Sequence, residues 1–533
     1  MACFFTAGVE TIAVRLRKNW RLTNLRLGRL LGDIAACCIG CHVQIVSHLP
    51  ARTTGHLPRR AYEGAETGEE KSANNRGHIM QSSELRRHCE RRLNALDRER
   101  ASWFAHWREL SDNIMPRRGN FLGARHRPDR GGKRNSKLLD STAMLAARTL
   151  ASGLMAGLTS PARPWFRLGL GSPAVSAVPE VRAWLDDVQG RMFRVFARSN
   201  LYNALAVAYE ELAVFGTAAL VVTEDAKEIV RAYPLTAGEY WLAASERGSV
   251  NTLYRTFGMT TFQLVERFGR EAVSTLVRER YDRGQWDHEV EVVNAIEPNE
   301  DVQESGGFAR HKHHMAYRSV WYEKDAYDES LLDVGGFEEF PALCPRWHLA
   351  GNDVYGRSPG MDALPDAKSL QRMQLRFAET LDKMVSPPMV ASPSLRGAAV
   401  ASTPSAVTYV ADLEGAGFRP AYQINPPLAE FTAAIRERQQ AVRAAFHADL
   451  FLMATQLEEV RTATEVAERR AEKLVMLGPV LERLHDDLLE PLIGRVFQIM
   501  ARNGHIPPPP YAELDGLRLQ PEYVSPMAAL QAA

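Results

Sequence analysis

Ser358 lies in Gly356-Arg357-Ser358-Pro359-Gly360, the G-x-S-x-G spacing that can lift a nucleophilic hydroxyl onto a strand-to-helix turn for acyl transfer. That chemistry needs the backbone N–H of the next residue to hold the oxyanion, and Pro359 has none. Serine followed by proline is instead a good N-cap and first helical residue. The reading is therefore a capped helix, in which Ser358→Ala costs about 0.5–2 kcal/mol and Ser358→Asp is tolerated. Cys38-Ile39-Gly40-Cys41-His42 has the C-x-x-C-H spacing of haem attachment, a chemistry that requires export. No convincing export signal precedes it, since the apolar run Leu30–Val46 is late and interrupted by Asp33 and His42. His311-Lys312-His313-His314 lacks a carboxylate or cysteine partner at metal-ligand spacing, so it reads as a solvated loop. Asp486-Asp487 and Glu224-Asp225 read as solvated charge on a helix face and a turn. No G-x-x-x-x-G-K-[ST] phosphate loop is present. No catalytic residue, metal or cofactor is expected.

The chain has 533 residues, 45% hydrophobic and 24% charged, enough for a sizeable core in two or three average domains. A formal net charge of +1 argues against a surface that clamps nucleic acid everywhere, because each neutralised phosphate tightens binding. Four of the six cysteines lie before residue 42, leaving Cys89 and Cys344 for the body and no disulfide framework. The Leu30–Val46 run is too short and too polar to span a bilayer, so no membrane is expected. Residues 1–79 are Arg-rich, turn-rich after Pro50 and without amphipathic periodicity, so they read as an appended arm, with Met80 nearer the biological start.

Positioning elements follow from the apolar spacing. Leu85, Cys89, Leu93, Leu96, Trp103, Trp107, Leu110 and Ile114 predict a long helix from Ser82 ending at Pro116. Between Arg117 and Lys137, eight cations including Arg117, Arg118, Arg130, Lys133 and Arg134 face one acid, Asp129, among four glycines: a basic extended loop. A helix rich in Ala, Ser and Gly then runs from Ser136 to Leu158, small enough on one side to admit a neighbouring backbone. Helices at Val178–Arg198 and Tyr202–Val214 precede strand-like runs from Ala218 to Phe257 punctuated as a meander, then a helix near Thr260–Phe268 and further strands and loops to Phe340, with a turn at Gly335-Gly336. Ser358 opens a helix of about 28 residues, roughly 42 Å, that Pro387-Pro388 stops. An Ala-, Gly-, Ser- and Pro-rich excursion, Ser392–Pro427, leads into a helix over Leu428–Leu452. Thr462 and Glu465 form a capping-box pair ahead of helices broken at Gly478-Pro479 and at Pro491. The body is α+β.

PRRGNFLGARHRPDRGGKRNSKLLDSTAMLAARTLASGLMAGLTSPARPWFRL (Pro116–Leu168), SNLYNALAVAYEELAVFGTAALVV from Ser199, PLTAGEYWLA (Pro234–Ala243), YGRSPGMDALPDAKSLQ (Tyr355–Gln371) and TATEVAERRAEKLVMLGPVLERL (Thr462–Leu484) together closely resemble the head-to-tail connecting (portal) proteins of short-tailed bacteriophages. The likeness runs from about Leu85 to the end. It implies a non-enzymatic subunit of a dodecameric ring at one capsid vertex, through which DNA is packaged and ejected. The implied partners are sequence-unspecific double-stranded DNA, a terminase large subunit that supplies the motor, and capsid, scaffold and tail adaptor proteins. The place is the virion, after assembly in the host cytoplasm. The implied portal fold divides the chain into the arm 1–79, a wing body 80–357, stem helices flanking a clip at 358–455, and wing or crown helices with a shortened tail at 456–533. Lys368, Arg372 and Lys383 on the stem helix are candidates for the DNA channel. The basic loop has two readings: it contacts phosphates, or it pairs with acids of a neighbouring subunit, since arginine forks fit both. Another head-tail adaptor or capsid protein, and more remotely a nucleic-acid-processing enzyme, are the competing functions.

Overall fold

The structure, a computed structural model, describes residues 82–116, 138–299, 315–327, 330–390, 419–420, 425–452, 477–511 and 519–524. The arm, the basic loop, the His311–His314 run, most of the clip excursion and the Thr462–Glu465 pair lie outside them.

Helix α1, Ser82–Asn113, is 32 residues long because its apolar positions recur without a breaker up to Pro116. Leu85, Cys89 and Leu96 pack on Trp241, Tyr254, Val320 and Tyr322, whereas Trp107, Leu110 and Ile114 enter the main core. One helix thus ties two cores together. Polar clamps fix it: the Arg100 guanidinium donates to the Tyr240 carbonyl at 2.6 Å, and the Trp107 indole to the Phe215 carbonyl at 3.1 Å.

After the basic loop comes α2, Thr142–Leu158, which starts six residues later than its spacing suggests. The Asp140 carboxylate accepts from the Thr142 N–H at 2.7 Å, and this turn sets the helix start. The small face of α2 admits a ring rather than a backbone: a methyl on Gly153 would overlap the Phe451 phenyl. Strand β1, Phe166–Leu170, and the short helix α3, Pro173–Ser176, lead to α4, Pro179–Arg198, and α5, Leu201–Phe215. Helix α5 ends at Gly216 in the left-handed region, φ 77°, where a Cβ would be strained.

The expected meander divides in two. Strands β2, Ala219–Asp225, and β3, Ile229–Leu235, pair with each other, and β2 also pairs with β9, Ala342–Leu343, from over a hundred residues away. Strands β4, Tyr240–Ala244, β5, Val250–Thr260, β6, Glu289–Pro298, β7, Tyr317–Glu323, and β8, Asp333–Phe337, make a separate antiparallel sheet in chain order. Gly335 and Gly336 are paired strand residues of β8, opposite Ser319 and Arg318, not a turn. Helices α6, Thr261–Phe268, with a complete Thr260–Gln263 capping box, and α7, Thr275–Asp282, cover one end of that sheet. The second was not legible from periodicity, since only Val277 of its eight residues is buried.

Helix α8, Pro359–Val385, is 27 residues long. It returns through the ladder of β10, Met389–Val390, with β11, Arg419–Pro420, into α9, Leu428–Ala445, which packs on it. Arg438 pairs with Asp366 at 2.9 Å, far from the ladder, so the two helices run antiparallel. The expected Leu428–Leu452 helix is broken at His447, φ 51°, and resumes as α10, Ala448–Leu452. The break lets Phe446, Ala448 and Leu450 all reach the core. Near the end, Pro479 sits in the first turn of α11, Gly478–Leu484, and the stretch before Leu477 lies outside the described residues. Pro491 does not break the helix: a π turn, His485–Leu489, carries α11 into α12, Glu490–Arg502, and absorbs the N–H that proline lacks. Strand β12, Leu519–Tyr523, closes on β1.

Candidate nucleic-acid and subunit interface

The root of α8 shows what the G-x-S-x-G spacing does here. Ser358 is 1% exposed; its Oγ accepts from the Met361 N–H at 3.0 Å, the N-cap bond, and donates to the Val214 carbonyl at 2.7 Å. No substrate could reach it. The flanking glycines are the points where backbone meets backbone. A methyl on Gly356 would overlap the Gly216 carbonyl oxygen, and one on Gly360 would lie 2.7 Å from that of Val214. The Gly356 N–H donates to Thr217 Oγ1 at 2.7 Å, and the Trp347 N–H to the Gly216 carbonyl at 2.9 Å. The motif roots the long helix on the end of α5.

This geometry corrects the expectation for Ser358→Asp. An aspartate could still cap, but it would bury a carboxylate against the Val214 carbonyl, with no donor there and desolvation to bear. Ser358→Ala is now expected to cost about 2–3 kcal/mol, because a cap and a buried bond are both lost. Ser358→Asp should cost at least as much, and equal stability of the aspartate variant and wild type in urea melts would refute this.

About four turns further along α8, Asp140 joins three helices. Its carboxylate accepts from Thr142 N, from Gln374 Nε2 at 3.1 Å and from Gln439 Nε2 at 2.8 Å. The Gln371 side chain accepts from the N–H groups of Leu139 and Asp140 and donates to the Asp140 carbonyl. Burial raises the Asp140 pKa, but the bonds from Thr142, Gln439 and Gln374 outweigh it and hold the carboxyl below its ordinary value. The stability this adds is therefore present above the unfolded value near pH 4 and lost as pH falls through the folded one. In Asp140→Asn that acid-side loss should shrink; an unchanged midpoint of acid unfolding would contradict the assignment.

The same stretch of α8 carries the candidate channel cations. Lys368, Arg372 and Lys383 lie within about 60° of one another around the helix. Lys368 is ion-paired with Glu109 of α1. Arg372 and Lys383 are exposed, Lys383 in the last turn. Arg376, on the same strip, pairs with Glu379 at 2.7 Å. Below Leu370 the apolar stripe is uncovered: Leu375 is 45% exposed, Met384 39% and Val385 83%. The residues just outside the basic loop meet α8 here, through Glu109 on one side and Leu139 and Asp140 on the other. Arg117, Arg118, Arg130, Lys133 and Arg134 themselves lie outside the described residues.

Sequence reasoning missed Asp487. It forms a two-bonded fork with the Arg346 guanidinium, at 3.0 Å each, and the Arg346 side chain is 3% exposed. Only the arginine's burial, invisible in the sequence, separates this carboxylate from a solvated one. Cys89 and Cys344 are free and buried, and burial pushes the Cys89 thiol up to about 12, so neither is a reactive nucleophile. Among the described residues no helix is long and apolar enough to cross a membrane.

Two long antiparallel helices, α8 and α9, are rooted by a glycine-lined joint in a mixed body, and residues 86–533 match the family of bacteriophage head to tail connecting proteins, to which the chain belongs. It is 45% identical over 444 residues to the probable portal protein of Bordetella phage BPP-1 and to the portal protein of Salmonella phage epsilon15. Each match covers 83% of this chain and 79% of the relative.

Proposed function

We propose that this connector is a portal subunit: a closed ring of twelve copies surrounds double-stranded DNA at a capsid vertex, with terminase on one side during packaging and tail adaptors on the other afterwards. Assembly takes place in the host cytoplasm and the ring remains in the virion. The observation that supports this best is the distal half of α8, whose Leu375, Met384 and Val385 stand exposed among the described residues, as expected where neighbouring copies cover them. On this reading α8 and α9 are the stem, 80–357 the wing body and 456–533 the wing or crown. The work is positional, with no covalent step.

Arg372 and Lys383 then offer phosphate contacts without base readout, and Lys368 contributes less because Glu109 already neutralises it. The basic loop, whose flanking residues Glu109, Leu139 and Asp140 contact the same stretch of α8, takes the role of phosphate or subunit contact. Replacing Lys368, Arg372 and Lys383 by glutamine should leave ring assembly intact and lower salt-dependent DNA association equally for unrelated sequences. The salt slope of binding to assembled rings measures this. Unchanged slope removes the three residues from the channel, and loss of assembly places them between subunits.

A further inference from the structure

The last turn of α4, the turn before β3 and the end of α12 enclose a hollow of about 380 Å³. Its floor is apolar, formed by Val195, Met500 and Ile229, and Arg194, Arg198 and Lys227 stand around it with a single acid, Glu228. Arginines at a helix C-terminus ordinarily answer the helix dipole. Here Arg194 and Arg198 are exposed and, among the described residues, make no hydrogen bond or ion pair, while an apolar floor lies open between them. Apolar surface framed by unpaired cations suits an acidic segment with an aromatic or aliphatic anchor.

The chain itself carries such a segment. Tyr327 is 99% exposed, the most of any large hydrophobic side chain described, and Asp325 precedes it while Asp328 and Glu329 follow in the sequence. The loop is held in place: the buried Arg86 guanidinium donates to the carbonyls of Glu323, Ala326 and Ser330, at 3.1, 3.0 and 3.2 Å. A buried arginine thus shapes a loop that presents the Tyr327 side chain to solvent. The hollow and the loop are at different places. Arg502, between hollow residues Met500 and His505, binds Glu338 and Glu339 just after β8, whereas Tyr327 precedes β8.

We propose that the Asp325–Tyr327 loop of one copy seats in the Arg194–Arg198–Lys227 hollow of the next, the tyrosine ring on the apolar floor and Asp325 against the cations. Two complementary patches at separate places make a head-to-tail contact, the kind that closes into a ring rather than a two-fold dimer. The inference rests on the ring reading above and names the surfaces that build it.

The test uses full-length chain assembled in solution. With the photocrosslinker p-benzoylphenylalanine in place of Tyr327, irradiation of mixed isotope-labelled and unlabelled rings should join residue 327 to peptides spanning 191–198 or 227–229 of a different chain. Arg194→Glu with Arg198→Glu should raise the concentration needed for assembly at least tenfold, as should Tyr327→Ser. Adding Asp325→Arg to the double reversal should recover part of the loss. Normal assembly of both variants, or crosslinks only to other surfaces, overturns the proposal; so does a defect confined to the hollow variants, which would give the hollow a different segment of the neighbouring copy. Wild-type chain that stays monomeric throughout the range would overturn the ring reading itself, and this contact with it.

Discussion

Gly356→Ala should destabilise the chain by about 3–5 kcal/mol, well above the 1–3 kcal/mol usual for an overpacked core. The added methyl meets the Gly216 carbonyl oxygen, the Trp347 nitrogen at 3.0 Å and the Arg346 Cβ at 3.1 Å. Two of these three are backbone, so no side-chain rotation relieves the overlap. The segments cannot move apart cheaply either, since Thr217 Oγ1 holds the Gly356 N–H and the Trp347 N–H holds Gly216. Gly190→Ala is the control: Gly190 sits inside α4 with nothing within 4 Å of its absent Cβ. There alanine should stabilise by about 0.5–1 kcal/mol through helix propensity alone. Urea unfolding of both variants reads the contrast, and a Gly356→Ala chain as stable as wild type would refute the close-packed joint.

Asp487→Ala should cost about 3–5 kcal/mol, because it strands the buried Arg346 guanidinium without its counter-charge. Arg346 Nη1 already lacks a hydrogen-bond partner among the described residues, so nothing nearby can take over the lost fork. Replacing both residues, Arg346→Met with Asp487→Leu, should recover most of the loss, since an apolar pair of similar volume avoids the desolvation of two charges. A double variant no more stable than Asp487→Ala would mean that the pair holds the π turn in shape rather than merely balancing charge. Asp486, its neighbour in sequence, should tolerate alanine within about 0.5 kcal/mol as a surface position.

Several features were legible because they depend on residues close together in the chain. Helix α1, helix α8 with its Ser358 cap, the helix near Thr260–Phe268 and the end of α5 at Gly216 all follow from apolar spacing and from local capping chemistry. The rejection of Ser358 as a nucleophile was equally local, because Pro359 settles it through one missing N–H. The family was legible too, since long segments in a fixed order carry it.

What remained hidden depends on contacts between distant segments. Strand β2 takes a partner from β9, and this divides one apparent meander into two sheets. The start of α2 depends on Asp140, whose bonds come from Gln374 and Gln439 hundreds of residues away, and periodicity carries no record of them. The helix broken at His447 has good propensity throughout; the gain from seating Phe446 and Leu450 in the core outweighs a continuous hydrogen-bond ladder. The sequence alone therefore determined the long helices α1 and α8, the Ser358 cap that rules that residue out as a nucleophile, and the family. Tertiary structure alone decided that the Gly356–Gly360 motif is a joint, that Asp487 is bound to Arg346 while Asp486 is exposed, and that Lys368 is spoken for while Arg372 and Lys383 are exposed. Local hydrogen bonding and apolar period act within a turn or two of helix, whereas burial and charge pairing are set by whatever the fold brings alongside.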